Sequence, residues 1–315
     1  MVAAGSVISG YTLMKRMKTA LFIALAIVAS GFGLFWFLEV RKRHSGQVAA
    51  PGPLDILIGF GTNFLDTLGV GSYATTSSLF KLLRLVPDEQ IPGTMNAGHA
   101  MPTVCEAFIY IALVQVDMLT LVAMILASCA GAWLGAGVVS RWPRRTVQIA
   151  MGIALVGAAT FMLLSLLHVI PAPSGETLGV SGLRLGIAIV VNFILGALMT
   201  LGIGLFAPCM ILIATLGMSP VVAFPIMMGS CAFLMPVGSA RFVREGSYNL
   251  KSALGLTLGG IPGVLIAAYI VKSLPLDYVK WLVVVVVLYT ASMMLRSAMV
   301  ERTRRTVEIV PLIGD

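Results

Sequence analysis

The chain has 315 residues, 58% hydrophobic and only 11% charged, with a mean hydropathy of +0.99. A soluble globular domain carries about 25% charged residues, so this composition excludes one. The net charge of +8 does not mark a nucleic-acid binder, because the lysines and arginines sit at the ends of apolar segments, where they anchor helices and set orientation.

The apolar segments run to roughly 20 residues, the length that crosses a hydrocarbon core of about 30 Å as helix. The apolar–polar alternation of a membrane barrel is missing. The reading is an all-α, multi-pass protein of the inner membrane. Cys105, Cys129, Cys209 and Cys231 lie within apolar segments with no pairing or metal-ligand spacing, and read as packing residues. No metal or cofactor is expected.

In chain order, Lys15, Arg16 and Lys18 precede an apolar run at 19–38. The run is too long for the apolar core of a secretory signal, and charged residues 39–43 follow in place of a cleavage site. It reads as a retained helix, which with a polar linker makes up residues 1–53.

The rest repeats itself. At a constant spacing of 133, Phe60/Phe193, Leu65/Leu198, Thr67/Thr200, Gly69/Gly202, Gly71/Gly204 and Leu79/Leu212 are identical, as are Pro87/Pro220, Pro92/Pro225 and Met95/Met228. Gly131/Gly263 and Pro143/Pro275 follow at 132. The halves are 54–170 and 183–297, joined by an extracytoplasmic linker at 171–182 and followed by a basic cytoplasmic tail at 298–315. Each opens with a glycine-interrupted segment (54–83; 184–214). Three spans follow in each: 94–115, 118–140 and 146–168, then 221–241, 250–272 and 277–297.

Charge sets the orientation. The loop at 115–118 has no basic residue, and the next carries Arg141, Arg144 and Arg145. In the second half the order reverses, with Arg241, Arg244 and Lys251 in the first loop. One arrangement satisfies both halves: each broken segment is a re-entrant helical hairpin, and the two repeats are inverted. Lys15, Arg16, Lys18 and Lys272 dissent, leaving the first helix's orientation open. If the broken segments cross fully, the halves are parallel and the charge pattern has no explanation.

Backbone that stops being helical inside a bilayer survives only where protein or a polar cavity satisfies it. Gly69, Gly71, Gly202 and Gly204 mark such breaks, and Pro208 follows the second. Ser72, Thr75 and Thr76 open a half-helix after the first. A half-helix N-terminus suits an anion, and two converging from inverted repeats form a recurring transporter site. Gly131/Gly135 and Gly255/Gly259/Gly263 keep the four-residue spacing of tight helix packing.

Asp66 lies three residues before the first break. Asn96, His99, Thr103 and Glu106 make one polar stripe on a helix, which must face protein or water. Asp66, His99 and Glu106 are the candidate proton carriers; Asn96 joins the substrate-binding set with Ser72, Thr75, Thr76 and the four break glycines. His168 reads as interfacial.

On Gly59-Phe60-x4-Leu65-x2-Leu68-Gly69-Val70-Gly71, its echo Leu201-Gly202-Ile203-Gly204, and the proline opening the next span in each half, the chain resembles the sulfite exporter TauE/SafE family over most of 54–297. The resemblance implies a permease for sulfite, sulfonates or related small organosulfur anions, coupled to an ion gradient. Ser72 and Leu205 stand where that family's break is richer in glycine, and Asp66 and the first helix look like additions.

The partners expected are a small anion and the lipid bilayer, with no nucleic acid; a homo-oligomer stays open. No nucleotide-binding Gly-x4-Gly-Lys-Ser/Thr loop occurs. A passive anion channel shares every pore feature. An intramembrane hydrolase would need Ser72 as nucleophile and His99 as its base.

Overall fold

The apolar segments fold as helices and the paired glycines as gaps between them. The computed structural model describes residues 2–43, 50–167, 169, 176–202, 204–269 and a series of helical positions between 281 and 299. His168, Ile203, Lys272, part of the 171–182 linker and the tail beyond 299 lie outside the described residues.

Helix α1 is Val2–Arg43. The first broken segment is α2 (Pro53–Thr67) and α3 (Tyr73–Leu83), followed by α4 (Ile91–Leu113), α5 (Met118–Val139) and α6 (Arg144–Leu166). The second is α7 (Gly182–Met199) and α8 (Phe206–Thr215), followed by α9 (Ala223–Glu245) and α10 (Leu250–Tyr269). The segments at 15–43, 118–139, 182–199, 223–245 and 250–269 are long and apolar enough to cross a membrane. Leu126, Leu134, Leu183 and Val190 point outward from them, as side chains facing lipid do. The chain is a multi-pass α-helical membrane protein.

The helix starts are capped by the same device in both halves. The Asp117 carboxylate accepts the Thr120 N–H at 2.8 Å to open α5, and the Asn249 side-chain oxygen accepts the Ser252 N–H at 3.0 Å to open α10. Each cap satisfies a donor that the helix cannot pair internally. Ser252 also donates to Asp55 at 2.7 Å, pinning the start of α2 to the start of α10.

From there α2 and α10 run in the same direction, with Asp55 beside Gly255, Ile56 beside Gly259 and Phe60 beside Gly263. In the same way α7 runs along α5, with Ser128 beside Gly196 and Gly135 beside Thr200. A methyl group on Gly263 would overlap the Phe60 carbonyl, and one on Gly131 would overlap the Phe193 carbonyl. These residues are the matched pairs of the two halves, so one backbone contact is built twice. The glycine spacing expected for tight packing is found at these contacts.

The remaining inner pair, α4 and α9, runs antiparallel: Gly93 lies by Phe242 and Ser247, and Gly229 by Ile111. One end of the bundle gathers basic residues. There Arg141 pairs with Glu245 at 2.9 Å, Arg43 donates to the Arg244 carbonyl, Arg241 stacks over Trp133, and Lys251 lies beside Gly52. Helix α1 packs with Phe22 stacked on Phe108 and Trp36 donating to Tyr248, which directs Lys15, Arg16 and Lys18 toward the opposite end.

At that opposite end the chain entering α7 meets the chain leaving α8. Thr177 bridges Met218, and the Ser219 N–H donates to the Thr177 carbonyl at 3.0 Å. In the first half, Gly52 before α2 and Gly93 after α3 both lie by the 247–251 turn.

Gly259→Val should lower stability in SDS-unfolding titrations by at least about 1–3 kcal/mol, because backbone rather than a movable side chain stands in the way. Gly61→Ala, where the added methyl meets nothing within 4 Å, should be neutral or raise stability by about 0.5–1 kcal/mol.

Candidate functional site

Each break is made by the same turn. Helix α2 closes with the Gly69 N–H on the Asp66 carbonyl (2.8 Å) and the Val70 N–H on the Leu65 carbonyl (2.9 Å). Helix α7 closes with the Gly202 N–H on the Met199 carbonyl (3.0 Å). Gly69, Gly71 and Gly202 have φ of 87°, 92° and 90°, the left-handed region that a side chain disfavours. The breaks face each other: a methyl on Gly204 would touch the Tyr73 Cβ at 3.4 Å, and one on Gly202 would meet Met95 of α4 and Met151 of α6.

At the mouth of α3 the Ser72 hydroxyl donates to the Asp66 carboxylate at 2.6 Å. Asp66 is half-buried, and Ser72 is buried. Thr75 uses its hydroxyl on the Ser72 carbonyl (2.8 Å) and so braces the first turn. Thr76 bonds His99 Nε2 at 3.0 Å, and His99 Nδ1 bonds the Asn63 side-chain oxygen at 2.9 Å. The Asn63 amide donates to the Gly59 carbonyl at 2.7 Å. The Asn63 oxygen therefore accepts from Nδ1–H, and in the neutral ring Nε2 accepts from Thr76. His99 is thus a fully bonded link between α2, α3 and α4. Ser72 is bonded to Asp66 and Thr76 to His99, so the Ser72–His99 pair that a hydrolase needs is not formed.

Glu106 is reached from the other side of α2. Its Oε1 lies 2.7 Å from the Thr67 hydroxyl, which also lies 2.9 Å from the Asn63 carbonyl. Thr67 has one hydrogen for these two acceptors. The Asn63 carbonyl also takes the Thr67 backbone N–H inside α2, so the hydroxyl hydrogen is free to serve Glu106. Glu106 Oε2 is buried with no partner among the described residues. Tyr110 donates to the Thr67 carbonyl.

Asn96 donates to the Pro92 carbonyl at 2.9 Å and lies at 3.5 Å from the Met199 carbonyl. Its oxygen, like the Tyr73 hydroxyl, is buried and unpaired among the described residues. Near the second break Cys231 lies 3.6 Å from the Met199 sulfur. No described lysine or arginine is bonded to any of these groups.

The structure therefore brings Asp66, Ser72, Thr76 and His99 to the first break and sets Gly204 against its first turn. It places Glu106 behind that break. Asn63, Thr67, Tyr73 and Tyr110 were not singled out from the sequence. Asn63 and Thr67 carried a signal, because with Gly59 they recur every four residues on an apolar helix. Asn192, bonded to the Met124 carbonyl and Ser230, is the polar counterpart buried in the second half.

Matched helix breaks meeting inside a multi-pass bundle are an arrangement that membrane transporters use. The family model described as sulfite exporter TauE/SafE matches residues 1–162 and 184–314, and the chain belongs to that family. It is accordingly a membrane transporter of sulfur anions. No curated protein and no solved structure matches the chain.

Asn63→Leu should cost about 1–3 kcal/mol in the same unfolding assay, because it strands the His99 Nδ1–H in the interior. Removing the exposed hydroxyl of Thr215, whose bond to Ile211 faces outward, should change stability by no more than about 0.5 kcal/mol.

Proposed function

We propose that the protein is a secondary transporter that holds a small sulfur oxyanion between the two helix breaks and moves it with protons across the inner membrane. The observation that carries this reading is the apposition of the breaks, Tyr73 against Gly204. Helices α3 and α8 both begin there, and free N–H groups and dipole at a helix N-terminus favour an anion. Ser72 and Tyr73 supply hydroxyls, Asn96 and the break glycines Gly69, Gly71, Gly202 and Gly204 shape the wall, and Thr75 and Thr76 hold the first turn in place.

The two halves are inverted, and each broken segment is a re-entrant hairpin. Three observations support this. Helices α4 and α9, which occupy equivalent places, run antiparallel. The two chain ends of the second broken segment are bridged through Thr177 and Met218. Basic residues from both halves gather at one end, which makes that end cytoplasmic. Of the three candidate carriers Asp66, His99 and Glu106, Asp66 at the mouth of α3 carries the coupled proton in this reading, while His99 is held between Thr76 and Asn63 and Glu106 lies behind the break on Thr67.

Proteoliposomes offered sulfite, thiosulfate, taurine and sulfoacetate under an imposed pH gradient should accumulate at least one of them, and dissipating the gradient should stop accumulation. Failure to move any of the four would contradict the reading. With the transported anion in hand, the double variant Ser72→Ala, Thr76→Ala should raise KM about tenfold or more, the worth of one hydrogen bond to a charged group, about 1.5–3 kcal/mol. An unchanged KM would place the anion elsewhere.

A further inference from the structure

The two breaks share a backbone turn but differ in charge. In the first, a carboxylate is held at the mouth of α3 by the Ser72 hydroxyl at 2.6 Å. In the second, the matched position is Met199, so the mouth of α8 has no such acid. The place that an incoming anion needs at α3 is already taken by an anion belonging to the protein.

A second observation marks the spot as unfinished. The Tyr73 hydroxyl, on the first residue of α3, is buried with no partner among the described residues.

We infer that Asp66 is a tethered competitor of the substrate: its carboxylate occupies the α3 mouth when no anion is bound, and a transported anion takes that place only as Asp66 takes up a proton. This rests on the transport reading and deepens it, because it makes coupling obligatory and fixes the ratio at one proton per anion. Asp66 and the anion cannot both sit ionised there, since like charges at close range and low dielectric repel and no described lysine or arginine is bonded nearby to offset them. Protonation turns Asp66 from acceptor into donor, freeing the Ser72 hydroxyl for the anion. The proton balance closes: one carboxylate becomes one acid as one anion enters, so a singly charged anion leaves the net charge of the site unchanged and a doubly charged one, such as thiosulfate or ionised sulfoacetate, adds one negative charge.

The titratable groups facing Asp66 are Tyr73 on α3, Glu106 and Tyr110 on α4, and Cys231 on α9. His99 of α4 is tied up by Thr76 and Asn63. The described part of α10 brings no titratable group to the break, its Lys251 and Tyr269 lying at its two ends. Glu106 is therefore the competing explanation for any coupled proton, and the test separates the two.

The probes are thiosulfate and sulfoacetate, both fully ionised from weakly acidic to weakly alkaline buffer. Purified wild-type protein in weakly buffered alkaline solution should take up about one proton for each anion bound, and the apparent Kd should rise about tenfold per pH unit. Asp66→Asn should bind the anion with a Kd independent of pH and with no proton uptake, whereas Glu106→Gln should keep both. Binding by wild-type protein without proton uptake would overturn the inference while leaving the transport reading intact, and this arm needs no variant to fold. Proton uptake that survives Asp66→Asn but disappears in Glu106→Gln would overturn it as well. If neither probe binds nor moves, the transport reading itself falls.

Discussion

A hydrocarbon interior cannot satisfy a peptide group, and each unpaired one costs several kcal/mol there. A helix that stops in mid-membrane must therefore be wrapped in protein. Here the wrapping is backbone on backbone: Gly255, Gly259 and Gly263 let α10 lie directly against α2, and Gly131 and Gly135 do the same for α5 against α7. Each broken segment is clasped by a helix from the other half. That reciprocal clasp seats the two breaks opposite one another, and the site follows from it.

The site works with neutral donors. Basic residues lie at the ends of the bundle, where Arg141, Arg241, Arg244 and Lys251 can meet water and lipid headgroups. Inside, the described groups around the first break include two carboxyls, two tyrosines, a cysteine and a histidine whose ring nitrogens are both bonded, with no lysine or arginine bonded to them. On the proposed reading, an anion held by hydroxyls, backbone N–H groups and half-helix dipoles is bound without a fixed counter-charge. It can therefore leave as readily as it enters, which a carrier requires and a tight binding protein does not. Coupling then falls to the groups that can gain or lose a proton nearby.

Much of this was legible in the amino-acid order because it depends on positions where few residues are tolerated. Positive φ at Gly69, Gly71 and Gly202 requires glycine, and close backbone approach at Gly131 and Gly263 requires it again, so the repeat survives in those letters while the side chains around it diverge. Buried charge is equally visible, since Asp66 and Glu106 stand out in apolar runs. The partners were harder to read. Asn63 meets His99 across 36 residues and Thr67 meets Glu106 across 39, and no local spacing declares such pairs. Thr75 is the instructive case. Its place in a run of hydroxyls reads as a ligand, yet its hydrogen is spent on the Ser72 carbonyl, the usual habit of threonine in a first helical turn. The Trp36–Tyr248 contact that docks α1 joins residues 212 apart and has no local signal either.

The central claim is that the transported anion rests between the breaks. Selenite stands in for sulfite and scatters anomalously, so diffraction from crystals grown with it would locate the ion directly. The account predicts an anomalous peak within hydrogen-bonding distance of Ser72 and the α8 N-terminus, with the Asp66 carboxyl displaced from Ser72. A peak confined to the arginine-rich end of the bundle, with Ser72 still donating to Asp66, would contradict it.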